Sequence, residues 1–333
     1  MGNDKPISRR PIGPLRGGCL VKAILRCPRF LYRKVFKRDL YNVGVIRAPI
    51  HSLLNPKRKP EIHWFPERPR PGIFIADPFG IELDGKQYLL CEYFDYRERK
   101  GRIVGAEIND GAIVGGLKDA ITAPCHISYP FLFTYEGDVF CVPETCLANE
   151  VTLFKADVLP CQWRREAVLL NNVPAIDPSI VHFNGRWWLF YGDLRAGSAS
   201  LYVSYADSLL GPWLPHARQP VKTDIASSRP GGTPFVHNGR LYRPAQDCSQ
   251  GYGRRVVINE IVALSPCDFE ENTVAAVEPD RHGPYPNGLH TLSALGGITL
   301  VDGKREKFIL SAVVRSMKKF LRIITKTTKP GDL

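Results

Sequence analysis

The chain has 333 residues, with 45 Lys and Arg against 33 Asp and Glu, so its formal net charge is +12. Hydrophobic residues make up 44% of the sequence and aromatic residues 10%, which argues against intrinsic disorder. No stretch approaches 18 uninterrupted apolar residues, so the sequence predicts no transmembrane helix. The nine cysteines show no CxxC or Cys/His metal spacing. We therefore expect mostly buried thiols in a reducing compartment, and hence a cytoplasmic protein.

The first 38 residues are strongly basic, with eleven Lys and Arg against a single acid, Asp4. Within them, residues 16–38 interleave apolar and basic side chains, and Lys22 and Arg26 interrupt the apolar core that a secretory signal needs. Two interpretations stay open: an amphipathic segment peripheral to an anionic membrane surface, or a solvated, disordered tail. The basic residues are not arranged in a recognisable nucleic-acid-binding motif, so no nucleic-acid partner is expected. We predict a basic extension over residues 1–40 and one folded domain over 41–333.

Five similar segments then follow, and in each an apolar run meets a turn glycine and continues as an aromatic-rich strand. Asp-Gly or Asn-Gly between apolar runs is a strong hairpin signal, because a type I′ turn needs two positive φ angles. A period near fifty residues fits a propeller blade of four short strands. The sequence therefore predicts an all-β, five-bladed β-propeller rather than a jelly roll. The predicted turn glycines are Gly85, Gly137, Gly185, Gly239 and Gly303, with spacings of 52, 48, 54 and 64 residues.

Further strands complete these blades. Residues 41–50 read as a strand outside the repeat, in the place where an N-terminal strand closes the ring of many propellers. Residues 102–108, 151–159, 201–209 and 256–264 follow the hairpins as outer strands, and residues 320–326 are predicted to end the fifth blade.

Candidate functional residues emerge at one position of the repeat. Eight residues before the turn glycine, the first four blades carry Asp77, Tyr129, Asp177 and Gly231. A carboxylate inside an apolar strand is costly unless it is hydrogen-bonded or has a chemical task. The alternative is an Asx turn before the proline that follows each Asp.

The second strand of each hairpin returns to the end where the first began, so its last residues should face the same pocket. Carboxylates beside aromatic rings are typical of sugar-binding sites, although many of these aromatics would pack between blades instead. The polar candidates are Glu92, Asp95, Glu144, Asp193, Arg195, Gln246 and Asp247, and the candidate aromatic walls are Tyr93, Phe94, Trp187, Trp188 and Tyr191.

Two families share these features. The Asp-Pro blade starts and the element SYADSLLGPW resemble five-bladed glycosidases of the arabinanase, β-xylosidase and invertase type. More specifically, ADPFGI, SYPFLF, VPET, SSRPGGTPF and LYRPAQDCSQGYG resemble the N-terminal propeller of glucosamine inositolphosphorylceramide transferases and its bacterial relatives, over about residues 41–310. In the plant enzymes a separate glycosyltransferase domain follows, for which this sequence has no room. The resemblance thus implies the fold and a link to glycans, but it does not confer the transferase activity.

The glycosidase resemblance also implies roles. Asp77 matches the base or nucleophile and Asp177 the carboxylate that tunes it, while the general acid should open the fourth blade. The chain has SSRPGG there, so Glu144, or alternatively Glu92, is the provisional acid. Arg229, near the missing acid, casts doubt on ordinary hydrolysis.

A different set of residues suggests phosphate chemistry. Arg229, Arg243, Arg254 and His290 could form an anion pocket for a phosphorylated glycan or for phosphorolysis, or could be inter-blade ion pairs. His290 could also coordinate a water or a cation on the propeller axis.

We therefore predict a carbohydrate-active propeller that acts on a glycosidic bond of a glycan or glycolipid, without a cofactor and with no metal ligands assigned. The alternative is a non-catalytic glycan- or glycolipid-binding module, and a third possibility is a protein-interaction propeller. The predicted catalytic residues are Asp77, Asp177 and Glu144; the predicted substrate-binding residues are Glu92, Asp95, Tyr129, Asp193, Arg195, Arg229, Arg243, Asp247 and His290.

Overall fold

The computed structural model describes residues 37–55, 59–66 and 72–308. Residues 40–305 form one compact unit, in which five antiparallel sheets are the blades of a five-bladed β-propeller. A second unit comprises residues 1–39 and 306–333, of which only 37–39 and 306–308 are described. The predicted basic extension and the predicted strand at 320–326 thus fall almost entirely outside the described residues. No helix in the described part of the chain is long and apolar enough to cross a membrane.

The first strands of the chain belong to the last blade. β1 (Lys37–Ile46) pairs with the short β2 (His63–Trp64), and a 3₁₀ helix at Ile50–Leu54 lies between them. Blade 1 follows as a simple meander, with an Asp84-Gly85 turn whose φ angles of 52° and 72° suit a type I′ hairpin. Its strands are β3 (Ile73–Leu83), β4 (Lys86–Asp95), β5 (Lys100–Asn109) and β6 (Ala112–Ile121).

Blades 2 to 4 repeat this plan, and their inner hairpins turn at the predicted Gly137, Gly185 and Gly239. Blade 2 also contains a 3₁₀ turn at Cys146–Ala148. Blade 2 comprises β7 (Ser128–Tyr135), β8 (Asp138–Glu144), β9 (Glu150–Val158) and β10 (Gln162–Asn171); blade 3 comprises β11 (Ala175–Phe183), β12 (Arg186–Asp193), β13 (Gly197–Ala206), β14 (Leu214–Pro215) and β15 (Lys222–Thr223); blade 4 comprises β16 (Phe235–His237), β17 (Arg240–Asp247), β18 (Arg255–Leu264) and β19 (Phe269–Val277).

Blade 5 closes the ring as predicted. It contains β20 (Leu292–Leu295) and β21 (Ile298–Phe308), and β1 and β2 complete the sheet in the order β2-β1-β21-β20. The N-terminal strand β1 therefore pairs with β21, the last described strand, and this pairing closes the ring of blades.

The predicted fifth turn at Gly303 is wrong. The hairpin turns at Gly296-Gly297, because Leu295 pairs with Ile298, and β21 runs straight through Gly303. Gly303 serves packing instead: a Cβ there would lie 2.2 Å from the Trp64 ring. Asp302-Gly303 thus imitates a turn sequence although the glycine is required by a neighbouring side chain.

The position predicted to face the pocket has a distinctive backbone. Asp77, Tyr129 and Asp177 have φ angles of 50°, 47° and 50°, and each lies at a register shift in its inner hairpin. Residues with a side chain seldom adopt this left-handed conformation, and both it and β-bulges are concentrated near functional sites. The three bulges turn these residues toward the axis at the end where the inner strands begin, which we call the mouth.

The core lies between the blades, and it contains both tryptophans of the pair on β12. Trp187 packs on Phe133 and Tyr135 of blade 2, whereas Trp188 packs on Tyr205 on the other side of the sheet. Both are less than 5% exposed. They are inter-blade core, the place that the sequence analysis gave as the alternative to the pocket wall, because adjacent strand residues point to opposite faces and each face meets a neighbouring blade.

Gly232 gives a direct test of how tightly the ring packs. It has a φ of 140°, and a Cβ there would lie 1.7 Å from the carbonyl oxygen of Leu292 in blade 5. We expect Gly232→Ala to destabilise the fold by about 3 kcal/mol or more. Gly239→Ala is the matched control, since no atom lies within 4 Å of its Cβ position, and it should cost only about 1 kcal/mol. Urea denaturation of both variants checks this, and equal losses would contradict it.

Candidate functional site

Side chains from all five blades meet at the mouth. Most are acids or their hydrogen-bond partners, and each is nearly buried, with the carboxylates no more than 7% exposed. Burying so many ionisable groups together is costly unless they pair with one another or perform a function. Blade 1 contributes Asp77 and Glu92, blade 2 Glu144, blade 3 Asp177, blade 4 Arg229 and Gln246, and blade 5 His290, Thr291 and Asp302.

Asp77 is held at the junction of blades 1 and 5. Its backbone N–H donates to Asp302 Oδ2 (3.1 Å), and Thr291 Oγ1 donates to its Oδ1 (2.8 Å). His290 Nε2 lies 3.4 Å from the same Oδ1, while Nδ1 lies 2.5 Å from Asp302 Oδ2. Burial raises the pKa of Asp77 to about 6, although His290 opposes the rise. Asp77 is thus a base whose pKa lies close to neutrality.

His290 lies between two carboxylates that favour its charged form. Burial lowers its pKa, but Asp302 and Asp77 outweigh burial and raise it above the usual value. The imidazole also stacks on Tyr41, with ring centroids 4.7 Å apart. His290 is therefore engaged by Asp77 and Asp302 rather than being an independent anion-binding group.

Glu144 and Asp177 form a similar junction between blades 2 and 3. The Asp177 backbone N–H donates to Glu144 Oε2 (3.1 Å), and Cys146 Sγ donates to Glu144 Oε1 (3.2 Å). Burial and the charge of Asp177 raise the pKa of Glu144 to about 8, although Arg229 opposes the rise. Glu144 therefore holds its proton at neutral pH, which is the state a general acid needs.

Arg229 occupies the blade 4 position where the glycosidase resemblance calls for an acid. Its Nε donates to Asp177 Oδ2 (2.6 Å), and Gln246 Nε2 donates to the same oxygen (2.7 Å). The guanidinium also lies over the Tyr252 ring, 5.0 Å from its centroid. The carboxylate of Asp177 thus forms an ion pair with a guanidinium from blade 4.

Glu92 lies between the two junctions. Burial, followed by the charges of Asp77 and Glu144, raises its pKa well above the usual range. Its Oε1 is 3.7 Å from His126 Nε2. Burial therefore favours the protonated form of Glu92 as well.

The predicted residues just past the second strands belong to a rim motif. The Asp95 and Asp193 carboxylates each accept the backbone N–H two residues later (2.8 Å) and that residue's Arg side chain. The hydrogen bonds from Arg97 lower the pKa of Asp95 to about 2, and those from Arg195 lower that of Asp193. Asp247 makes the same turn with Ser249 and pairs with Arg255. These carboxylates fix mouth loops, and their predicted contact with substrate stays a prediction.

Two further candidates, Arg243 and Arg254, form ion pairs with carboxylates of the same chain. Arg243 is fully buried and pairs with Glu271, while donating to the carbonyls of Ser227 and Ser228. Arg254 pairs with Asp247. Together with the partners of Arg229 and His290, every cation of the predicted anion pocket has a carboxylate partner. The ion-pair interpretation therefore fits these contacts, although among these three arginines only Arg229 pairs with a carboxylate of another blade.

Tyr129 of blade 2 contacts residues of three other blades. Its hydroxyl contacts Ser179 Oγ of blade 3 (2.9 Å) and accepts the Gly232 N–H that leads into blade 4 (2.7 Å). The ring packs edge-on against Phe79 of blade 1. It supports the bulges that orient the carboxylates.

Sequence reasoning missed four residues of this site: Asp302, Thr291, Cys146 and Tyr252. Asp302 precedes Gly303, for which the sequence predicts a turn, so the sequence does not indicate that Asp302 lies on strand β21. Tyr252 lies on the loop after β17 with its ring against Arg229 and edge-on to His290, where an exposed aromatic can stack on a sugar.

One cluster has the composition of a metal site. The ligand atoms of Asp77, His290 and Asp302 lie within 4.8 Å of one another, and a hard divalent cation accepts carboxylate and imidazole ligands. In the present arrangement His290 lies between the two carboxylates, with Nε2 next to Asp77 and Nδ1 next to Asp302.

Solved structures share this fold. An α-L-arabinofuranosidase from Podospora anserina matches with a TM-score of 0.56 at 11% identity, covering 70% of this chain and 81% of that one. A family 117 glycoside hydrolase from Zobellia galactanivorans matches with a TM-score of 0.50 at 15% identity, covering 81% and 91%. At such low identity the likeness concerns the fold alone.

Sequence relatives are more specific. Glucosamine inositolphosphorylceramide transferase 1 of Oryza sativa subsp. indica is 35% identical over 251 residues, and that of Arabidopsis thaliana 34%. These matches cover 71% of this chain, which spans about a third of the length of either plant protein (34% and 33%). Residues 65–285 match the family model described as glucosamine inositolphosphorylceramide transferase 1, N-terminal. The chain therefore belongs to the family of these N-terminal propeller domains.

Proposed function

We propose that the mouth is a carbohydrate site that acts on a glycosidic bond of a glycan or glycolipid. One observation carries this proposal: two carboxyls at the mouth have pKa values displaced to different positions, Asp77 to about 6 and Glu144 to about 8. Pairs of titratable groups whose environments separate their pKa values identify a base and an acid. Asp77 would activate the attacking nucleophile and Glu144 would protonate the departing oxygen.

The remaining residues have supporting roles. Arg229 and Gln246 fix the carboxylate of Asp177, whose charge adds to the effect of burial in raising the pKa of Glu144. Thr291 and His290 orient Asp77. Tyr252 would offer its ring to a sugar face. The family's name, with its glucosamine and inositolphosphorylceramide, supports a sugar-bearing lipid as the substrate class.

A non-catalytic glycan-binding module is the second candidate. The observation in its favour is the ion pair between Arg229 and Asp177, which stands where the glycosidase resemblance calls for an acid. The acids also accept backbone N–H groups at the strained bulges, and such a role in blade packing requires no chemistry.

A pH profile tests the catalytic proposal. Chromogenic glycosides and sugar-bearing inositol phospholipids would first be screened for turnover by the full chain. With a substrate identified, kcat/KM should follow a bell-shaped curve with limbs at about pH 6 and about pH 8. These two values describe the interacting carboxyls of the mouth together rather than one residue each. Glycan binding without turnover of any substrate in the screen would favour the binding module.

A further inference from the structure

Four large apolar side chains stand exposed around the mouth, each on a different segment. Leu147 is 60% exposed on the loop after β8, Leu194 50% on the loop after β12, and Tyr252 43% on the loop after β17. Ile225, 41% exposed, lies on the segment that leads into blade 4. Single exposed apolar residues are ordinary, but these surround the opening of the candidate site.

Arginines stand beside them because of the rim motif. In blades 1 and 3 the Asp95 and Asp193 carboxylates are buried, while the paired Arg97 and Arg195 side chains are 64% and 69% exposed. The buried carboxylate fixes each guanidinium on the surface at a low cost in side-chain entropy. Arg99 adds a further exposed cation on the same loop as Arg97, against one exposed acid there, Glu98.

The opposite face of the propeller also exposes apolar side chains, including Val158 (55%) and Leu210 (60%). Its strand-connecting turns carry five exposed acids, which are Asp84, Asp110, Glu136, Asp207 and Asp268. Three of these acids pair with Arg47, Arg186 and Arg218, and both members of each pair reach solvent. In the Asp95 and Asp193 pairs of the mouth only the arginine is well exposed, so an anionic surface would meet guanidinium groups there without their carboxylate partners.

The strands nearest the two chain ends, β1 and β21, have their outer ends on the mouth side. β1 runs from the mouth toward the opposite face and β21 runs toward the mouth, so residues 40 and 305 both lie at the mouth end of their strands. The adjoining sequences are basic and apolar: residues 16–38 contain eight Lys and Arg and residues 307–329 contain seven, without an acid in either.

We propose that the mouth face of the propeller docks directly on an anionic membrane surface. Leu147, Leu194, Ile225 and Tyr252 enter the headgroup region, and Arg97 and Arg195 contact lipid phosphates. This rests on the proposed function in one respect only: it identifies the substrate as a glycan carried by a lipid of that surface. The docking itself requires no chemistry, so it can be tested separately.

The test measures binding of the full chain to phosphatidylcholine vesicles with and without phosphatidylserine. Leu147→Asp/Leu194→Asp should weaken binding to the anionic vesicles by about tenfold or more, because it removes apolar contacts and adds charges that the surface repels. Val158→Asp/Leu210→Asp is the matched control, with two exposed apolar residues on the opposite face, and it should bind as the wild type does. Leu147→Ser/Leu194→Ser, which adds no charge, should show a smaller loss in the same direction.

Three results would overturn the proposal: no binding of the wild type to anionic vesicles, equal losses in the two Asp variants, or undiminished binding of both mouth variants, since the basic segments alone would then account for it. Failure of the proposed reaction is a separate result. Vesicle binding that depends on Leu147 and Leu194, in a chain without turnover, would leave docking in place and remove the chemistry.

Discussion

Asp77→Asn is expected to lower turnover of a glycoside substrate by about 10²–10⁴-fold, the usual contribution of a positioned acid or base. Asparagine has almost the same shape and can still accept the hydrogen bond from Thr291, but it cannot accept a proton from the nucleophile. Binding of the same glycan should change little, because the side chain keeps its place beside Thr291 and His290. Steady-state kinetics and calorimetric binding on one preparation measure both quantities.

This substitution also separates the two candidate functions. If the propeller only binds glycans, the wild type has no turnover to lose and the two proteins behave alike in every kinetic assay. Asp110→Asn is the matched control, since Asp110 lies on the opposite face and pairs with Arg47 at the surface. A loss of binding as large as the loss of turnover would contradict the assignment of Asp77 as base, because it would indicate a role in holding the ligand or the fold.

The sequence predicted the blades because their signals are local. An Asx-Gly turn fixes the register of its hairpin, so the residue eight positions earlier falls at the same place in each blade. The structure accordingly brings Asp77, Tyr129 and Asp177 to equivalent bulges. The fifth blade broke the pattern, because Gly303 is a packing glycine that follows an acid and so imitates a turn.

The network around the carboxylates could not be predicted in the same way. Asp77 meets Asp302 and Thr291 across 225 and 214 residues of sequence, and Gln246 meets Asp177 across 69. Such contacts depend on closure of the ring, which no local pattern encodes. The rim motif did leave a signal: an Arg follows Asp95 and Asp193 at the same two-residue spacing, which favours a local turn.

Glu144→Gln is expected to stabilise the protein at alkaline pH. The pKa of Glu144 is about 8 in the folded state against an ordinary value of 4.5. Below about pH 4.5 the folded and unfolded chains both hold the proton, and the group causes no pH dependence. Between about pH 4.5 and pH 8 only the folded chain keeps it, so stability falls as pH rises, and above about pH 8 the loss is complete. Glutamine is never charged and escapes this loss.

The expected difference is large for a single uncharged substitution. Each pKa unit corresponds to about 1.4 kcal/mol, so the variant should exceed the wild type by up to about 4 kcal/mol at about pH 8.5, relative to their difference at about pH 4.5. Urea denaturation at the two pH values measures this, with Glu270→Gln on the exposed surface of blade 4 as the control. Parallel pH curves for wild type and Glu144→Gln would mean that Glu144 is already ionised in the folded protein. An ionised Glu144 has no proton for a departing sugar oxygen, so the stability curve tests Glu144 as the general acid before any substrate is known.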